Sequence, residues 1–154
     1  MRARGESLVR TILENKEYEI YLPTYKEVRK YSDRMKKIDA PLFPGYLFCR
    51  MDVTQRLPVL TTPGVHSILG FNGEPTPVPE DEITAIQRVV GSGASVEPWP
   101  FLKIGARVRV ERGAFSGVEG ILISERGVDR LILSVQMLQR SVSVEIDRSW
   151  IRPL

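Results

Sequence analysis

The sequence predicts an α+β protein in two parts: an N-terminal antiparallel sheet with helices, then a small all-β barrel. Three observations support this prediction. The front part mixes helical and strand periodicity, residues 91–100 are rich in glycine, serine and proline, and the remainder alternates in short strands. We therefore expect one domain at residues 1–90, a linker at 91–100 and a second domain at 101–154.

The front part begins with a helix. Apolar residues recur at helical spacing from Glu6 to about Lys16, at Leu8, Val9, Ile12 and Leu13. Alternating or apolar runs predict strands at 17–22, 42–51 and 65–69. Acidic residues after Pro79 favour a second helix, which ends near Gly91. No βαβ unit repeats, so the order of elements indicates a mixed α+β domain.

The back part is predicted to be entirely β. Strand-like runs occur at 107–110, 121–123, 130–138 and 141–146, with glycines between them. In the last run Val142, Val144 and Ile146 alternate, and a helix would scatter them around its circumference. We therefore expect a persistent small barrel rather than a helical hairpin.

Composition narrows the class of function. The chain is 42% hydrophobic and 27% charged, which is ordinary for a soluble globular protein. It has one cysteine, Cys49, and no apolar run of the roughly 20 residues that span a bilayer. We expect a cytoplasmic monomer with no membrane partner.

The residue types that carry catalysis or hold metals do not occur in recognisable patterns. His66 is the only histidine, and neither it nor Cys49 has a partner at metal-ligand spacing. The glycines of the back part lie between strands and do not precede a helix, so they do not form a phosphate-binding loop. We expect a protein that is not an enzyme and uses no cofactor.

Residues 41–48 read Pro-Leu-Phe-Pro-Gly-Tyr-Leu-Phe, an aromatic-rich strand entry with a glycine at a tight bend. This segment resembles the signature of the N-terminal domain of the NusG family of transcription elongation factors. Residues 105–120 resemble a KOW motif, the element that opens the family's SH3-like C-terminal barrel. The KOW residues are Gly105, Val108, Val110, Gly113, Phe115, Gly117 and Gly120, with Phe115 expected to plug the barrel. Residues 21–25 and 41–45 look closer to specialised paralogues, such as the RfaH and UpxY antiterminators, than to housekeeping NusG.

The resemblance implies a division of labour between the two domains. The N-terminal domain is expected to bind RNA polymerase through Phe43, Tyr46, Phe48, Gln55 and Arg56. The KOW domain is expected to recruit a ribosomal protein or Rho through Met137, Leu138 and Arg140. The alternative is a ribosome-associated or RNA-binding KOW protein, which would lack the aromatic segment and the front domain.

Basic residues near the N-terminus predict non-specific contact with nucleic acid. Residues 1–50 carry 11 basic and 7 acidic side chains, the largest positive excess in the chain. The residues expected near nucleic acid are Arg4, Lys26, Arg29, Lys30, Arg34, Lys36 and Lys37. Such contacts would be independent of sequence and sensitive to salt.

The N-terminus departs from the family pattern. The family's first strand normally carries a Trp-Tyr pair, and this sequence begins where that strand should be ending. Loss of a strand internal to a sheet would leave backbone groups unpaired. We therefore expect the front domain to be less stable than an extended version, or to dimerise by strand exchange.

Overall fold

The computed structural model describes residues 5–31 and 34–154. The chain divides into two compact units, Met1–Pro77 and Val78–Leu154. This division falls earlier than the limits drawn from the sequence, because the helix at 80–91 and part of the expected linker belong to the second unit. Each unit is described by itself.

Helix α1 (Glu6–Asn15) opens the first unit and confirms the helical spacing at this end of the chain. Its residues Val9 and Leu13 are fully buried against Val59, which lies on the short helix α2 (Leu57–Leu60). These three side chains form the centre of the first core. Partly buried hydrophobic residues pack around them: Tyr18, Ile20, Leu47, Cys49, Met51, Val65 and Ile68.

The strands of the first unit, among the residues described, form three separate antiparallel pairs. In chain order, β1 is Glu19–Tyr21, β2 is Thr24–Tyr31, β3 is Arg34–Pro41, β4 is Phe48–Arg50, β5 is Gly70–Phe71 and β6 is Glu74–Pro75. The pairs are β1 with β4, β2 with β3, and β5 with β6.

Two strand predictions for the first unit are corrected. The strand expected at 42–51 forms only at its end, because residues 42–47 bend and turn before β4. The run at 65–69 is not a strand, although Val65 and Ile68 do pack on the core. The hairpin β2–β3 was not predicted, since its residues are mostly polar.

The second unit begins with helix α3 (Glu80–Gly91), which has the predicted start and end. Its buried residues Ile86 and Val89 form an inner face. The helix also donates a hydrogen bond from the Arg88 guanidinium to the Ala114 carbonyl, 3.4 Å away. These contacts explain why α3 belongs with the back part of the chain.

A six-stranded antiparallel sheet fills the rest of the second unit, which confirms a small β domain. Its strands are β7 (Val96–Trp99), β8 (Ala106–Val110), β9 (Glu119–Glu125), β10 (Val128–Val135), β11 (Arg140–Glu145) and β12 (Ile151–Pro153). Their spatial order is β12-β8-β9-β10-β11-β7. Strand β7 lies within the expected linker and pairs with β11. The edge strands β7 and β12 contain Pro98 and Pro153, which limits further pairing at those edges.

The core of the second unit comes from buried residues of these strands, together with Phe115. Val108, Val110, Leu131, Val142 and Val144 are almost completely buried. Within the described ranges, no helix is long and apolar enough to cross a membrane.

Candidate functional site

The Pro44-Gly45-Tyr46 turn is held from below by helix α1. The backbone N–H of Gly45 donates to Glu6 Oε2 at 2.9 Å, and Glu6 is only 3% exposed. Gly45 has a φ of +87°, a conformation that glycine adopts at little cost. The backbone N–H of Tyr46 donates to the Phe43 carbonyl at 3.0 Å and closes the turn. These two hydrogen bonds therefore hold the backbone at Tyr46 in place.

Phe43 and Phe48, expected to contact polymerase, form the base beneath this turn. They are 1% and 9% exposed, and their rings pack edge to face with centroids 5.7 Å apart. Phe48 also stacks on Tyr21, with centroids 6.2 Å apart. Of the three aromatic residues named from the sequence, only Tyr46 is half-buried rather than buried. Phe43 and Phe48 therefore support the turn from the core, and their expected contact with polymerase stays a prediction.

Gln55 and Arg56 lie on a loop ordered by its own hydrogen bonds. Asp52 caps the helical turn Val53–Gln55 by accepting from the Thr54 backbone N–H at 2.9 Å. Hydrogen bonds from the Thr54 hydroxyl and backbone lower the pKa of Asp52. The Arg56 guanidinium donates to the Val53 carbonyl at 3.0 Å. Gln55 is exposed and Arg56 half-buried, so both are accessible.

The basic residues of the hairpin β2–β3 divide between two faces. Along β2, Lys26, Val28 and Lys30 are exposed, whereas the intervening residues are half-buried. On β3, Arg34, Lys36 and Lys37 are all exposed. The register places Lys37 opposite Val28 on one face, Lys36 opposite Arg29 on the other, and Arg34 opposite Tyr31. Arg4 lies outside the described residues.

Arg29 forms a hydrogen bond with a residue on its own face of the hairpin. Its Nε donates to Glu27 at 2.7 Å, and the Tyr25 hydroxyl donates to the same carboxylate at 2.8 Å. The hydrogen bond from Arg29 and then that from Tyr25 lower the pKa of Glu27. Glu27 is therefore an anion at neutral pH and offsets the charge of Arg29.

The KOW-like element forms the β8-turn-β9 hairpin of the second unit. Val110 and Gly117 close the turn, since the Gly117 N–H donates to the Val110 carbonyl at 2.7 Å. Gly120 lies on β9, where a Cβ atom would stand 2.6 Å from the Ile132 carbonyl oxygen. Phe115 is 6% exposed and fills the interior. The remaining motif residues are Gly105 before β8, buried Val108 on β8, and Gly113 in the turn.

The expected partner loop lies between β10 and β11. Residues Gln136–Leu138 form one helical turn, which ends at Gln139 with a φ of +50°. Leu138 is buried, Met137 is half-buried and Arg140 is exposed, and the expected partner contact of these three residues stays a prediction. The loop presents one flexible apolar side chain beside one cation.

A cleft of about 480 Å³ lies beside α3 within the second unit. Its lining mixes Glu82 and Glu119 with Arg88, Lys103 and Arg107. Burial raises the pKa of Glu82, against a hydrogen bond from the Gln136 backbone, and nearby Asp81 raises it further. Over residues 5–31 and 34–154, no three His, Cys, Asp or Glu side chains are grouped to hold a metal ion.

A match to a known protein family identifies the class of this protein. The family profile described as "Transcription termination factor nusG" matches residues 1–87, which include the Pro44-Gly45-Tyr46 turn. The mixed front unit is followed by a second unit whose six-stranded sheet contains the KOW-like hairpin β8-turn-β9. The chain belongs to the NusG family.

Relatives from several bacteria extend the match beyond the front unit. A Lactococcus lactis protein is 36% identical over 141 residues, covering 88% of this chain and 75% of the relative. A Helicobacter pylori protein is 31% identical over 142 residues, covering 88% of this chain and 80% of the relative. Both are named "Transcription termination/antitermination protein NusG".

A solved structure shares the fold. The structure described as "Domain interaction in Thermotoga maritima NusG" matches with a TM-score of 0.56 and 22% identity. The match covers 99% of this chain and 92% of the other.

Proposed function

We propose that this NusG-family chain is an elongation or antitermination factor that binds RNA polymerase through the surface around Tyr46. The observation that carries the proposal is that Tyr46 is only half-buried and lies on a turn that buried Glu6 holds by a hydrogen bond. A rigid aromatic side chain loses little conformational entropy on binding, and tyrosine is enriched at binding hot spots. Phe43 and Phe48 support the turn from the core.

The loop that carries Gln55 and Arg56 supplies a second contact in this proposal. Exposed Val53 and Leu57 flank these polar residues, so the loop offers both apolar area and hydrogen-bond donors. In this proposal the loop contacts the opposite side of the polymerase cleft, as the family resemblance implies. A factor that contacts both sides would hold the clamp closed and suppress pausing.

We further propose that the barrel recruits a second protein through the loop after β10. The flexible Met137 side chain adapts to irregular partner surfaces, and the Arg140 guanidinium adds a positive charge with directional hydrogen-bond donors. Either a ribosomal protein or Rho fits the resemblance. The proposed factor acts in the cytoplasm as a monomer and has no enzymatic activity.

The alternative, a ribosome-associated or RNA-binding KOW protein, would not need the front unit. The family match over residues 1–87 favours the polymerase reading.

Co-migration with core RNA polymerase tests the proposal. The purified full chain, mixed with core polymerase, should elute with it on size exclusion at micromolar concentration. Ribosomes serve as the matched comparison. A chain that elutes with ribosomes but never with polymerase would refute the proposed function and favour the alternative.

A further inference from the structure

We propose that helix α1 is a rigid spacer between the two elements assigned to polymerase contact, and that Lys16 is a positioning residue for the second of them. These elements are the Pro44-Gly45-Tyr46 turn and residues 52–57, termed the 52–57 loop. The inference rests on the proposed function, because it concerns how the two contacts are aligned on one polymerase. It follows from the bonds that α1 forms at each of its ends.

The first end of α1 holds the Pro44-Gly45-Tyr46 turn. Glu6 is the first residue of the helix, and its carboxylate accepts from the Gly45 backbone N–H at 2.9 Å. The Glu6 side chain is buried, so close packing leaves it few other positions. The turn is therefore held to the beginning of the helix.

The other end of α1 holds the short helix α2, which begins at the last residue of the 52–57 loop. Lys16 caps α1, and its ammonium donates to the Pro58 carbonyl at 2.9 Å and to Thr62 Oγ at 3.0 Å. The Thr62 hydroxyl donates in turn to the same Pro58 carbonyl at 2.9 Å. Because Thr62 is only 2% exposed, the ammonium joins a closed cluster at the edge of the core.

Lys16 supplies the second of two anchors for α2. The first anchor is Val59, which belongs to the buried cluster with Val9 and Leu13 of α1. A helix of four residues is too short to be stable alone, so its orientation depends on tertiary contacts. One buried side chain would let this segment rotate about its contact, whereas a second anchor at Pro58 stops the rotation.

The chain that follows α2 also passes close to α1. Gly64 has a φ of +94°, and a Cβ atom there would stand 2.8 Å from Val9 Cγ2. Glycine adopts this conformation at little cost and leaves room for the valine. The segment from Pro58 to Gly64 therefore contacts α1 at several successive points.

The length of α1 sets the separation of the two contact elements. Its ten residues extend roughly 15 Å at about 1.5 Å per residue, with Glu6 at one end and Lys16 just beyond the other. Val53 is 43% and Leu57 67% exposed, so the 52–57 loop presents apolar side chains in a direction that the anchors fix. Two prealigned contacts bind more tightly than two loose ones, because less conformational freedom is lost on binding.

Lys16→Met and Arg10→Met in the full-length chain form a matched pair of variants. Each removes one positive charge from the α1 region, but Arg10 pairs with Glu14 on the helix itself, at 3.8 Å. Affinity for core RNA polymerase is measured by titration, well below the thermal midpoint of each variant. We expect Lys16→Met to bind severalfold more weakly than Arg10→Met. Equal affinities of the two variants would overturn the proposal.

A double-substitution cycle separates positioning from a general loss of fold. Leu57→Ala should weaken polymerase binding about tenfold in the wild-type chain and about threefold or less in the Lys16→Met background, since residues that act through one another are not additive. Tyr46→Ala should cost the same factor in both backgrounds, because Glu6 still holds its turn. If Leu57→Ala costs the same factor in both backgrounds, Lys16 does not position the loop.

The spacing itself is measured without polymerase. Spin labels at Ser7→Cys and Gln55→Cys, in a Cys49→Ala background, report the distance between α1 and the 52–57 loop. Both labelled positions are exposed. The distance distribution should broaden in Lys16→Met and stay narrow in Arg10→Met. Distributions of equal width would contradict the spacer role.

Polymerase binding by the wild-type chain separates this inference from the proposed function. A wild-type chain that never binds core polymerase refutes the proposed function, and the positioning role with it. A wild-type chain that binds polymerase, while Lys16→Met and Arg10→Met bind equally well, refutes the spacer inference alone.

Discussion

Tyr21 packs with the buried aromatic rings under the proposed polymerase surface, but its hydroxyl group forms no hydrogen bond with the residues described. Its ring stacks on Phe48, and its buried hydroxyl has no hydrogen-bond partner among the residues described. Burial raises the pKa of Tyr21 to about 12. A buried donor without a partner costs free energy, whereas an apolar group of the same shape does not.

Tyr21→Phe should therefore be neutral or slightly stabilising at pH 7, by up to about 1 kcal/mol. The larger difference is expected in alkali. Below pH 10 Tyr21 is protonated in both the folded and unfolded states. Between pH 10 and about 12 the unfolded state loses this proton first, so wild-type stability falls as pH rises.

Urea unfolding at pH 9 and pH 11 measures this difference. The Tyr21→Phe protein should lose less stability than the wild type over that interval, since the remaining tyrosines titrate in both. Identical losses would mean that Tyr21 is not buried as described.

Residue-level roles were only partly predictable from sequence. The aromatic segment at 41–48 stood out, but spacing does not tell which rings face inward. Phe43, before the turn at Gly45, is buried, whereas Tyr46, after it, is half-buried. Glu6 had no local signal, because the backbone N–H that it binds is 39 positions away in sequence.

Elements with a clear period were predictable, and those defined by distant pairing were not. Helices α1 and α3 follow their apolar stripes. The hairpin β2–β3 lacks an apolar face, so no alternation of apolar and polar residues predicts its strand pairing. Strand β7 contains Pro98 within a linker-like segment, and it forms because β11 offers an open edge.

Close approach of β9 to β10 explains one glycine of the KOW-like element. In Gly120→Ala the new Cβ would meet the Ile132 carbonyl and the Leu131 side chain. We expect a loss of about 1–3 kcal/mol in stability of the second unit, typical of overpacking. Denaturant unfolding measures this loss.

Gly91→Ala is the matched control for that substitution. Gly91 is the last residue of α3, and a Cβ there meets nothing within 4 Å. Alanine should be neutral or stabilise by about 0.5 kcal/mol. If both variants lose the same stability, the tight crossing at Gly120 is not the cause.

At the scale of the whole molecule, two units with separate cores divide the chain. The sequence-based limits of 1–90 and 101–154 stay a prediction, drawn from the composition of residues 91–100. In the structure, contacts between α3 and β10 and the β7–β11 pairing attach residues 80–99 to the second unit. Composition identifies residues that are typical of connectors, but it does not predict which surface a neighbouring helix packs against.

The paired affinities and thermal midpoints of Tyr46→Ala and Phe43→Ala test the central claim most directly. Tyr46→Ala should lose about 2 kcal/mol or more of binding to core polymerase, roughly 30-fold in affinity, with an unchanged midpoint. Phe43→Ala should lower the midpoint, since removing a buried phenylalanine costs about 3–5 kcal/mol. If Tyr46→Ala instead binds core polymerase as tightly as the wild type, the Tyr46 surface is not the polymerase-binding site.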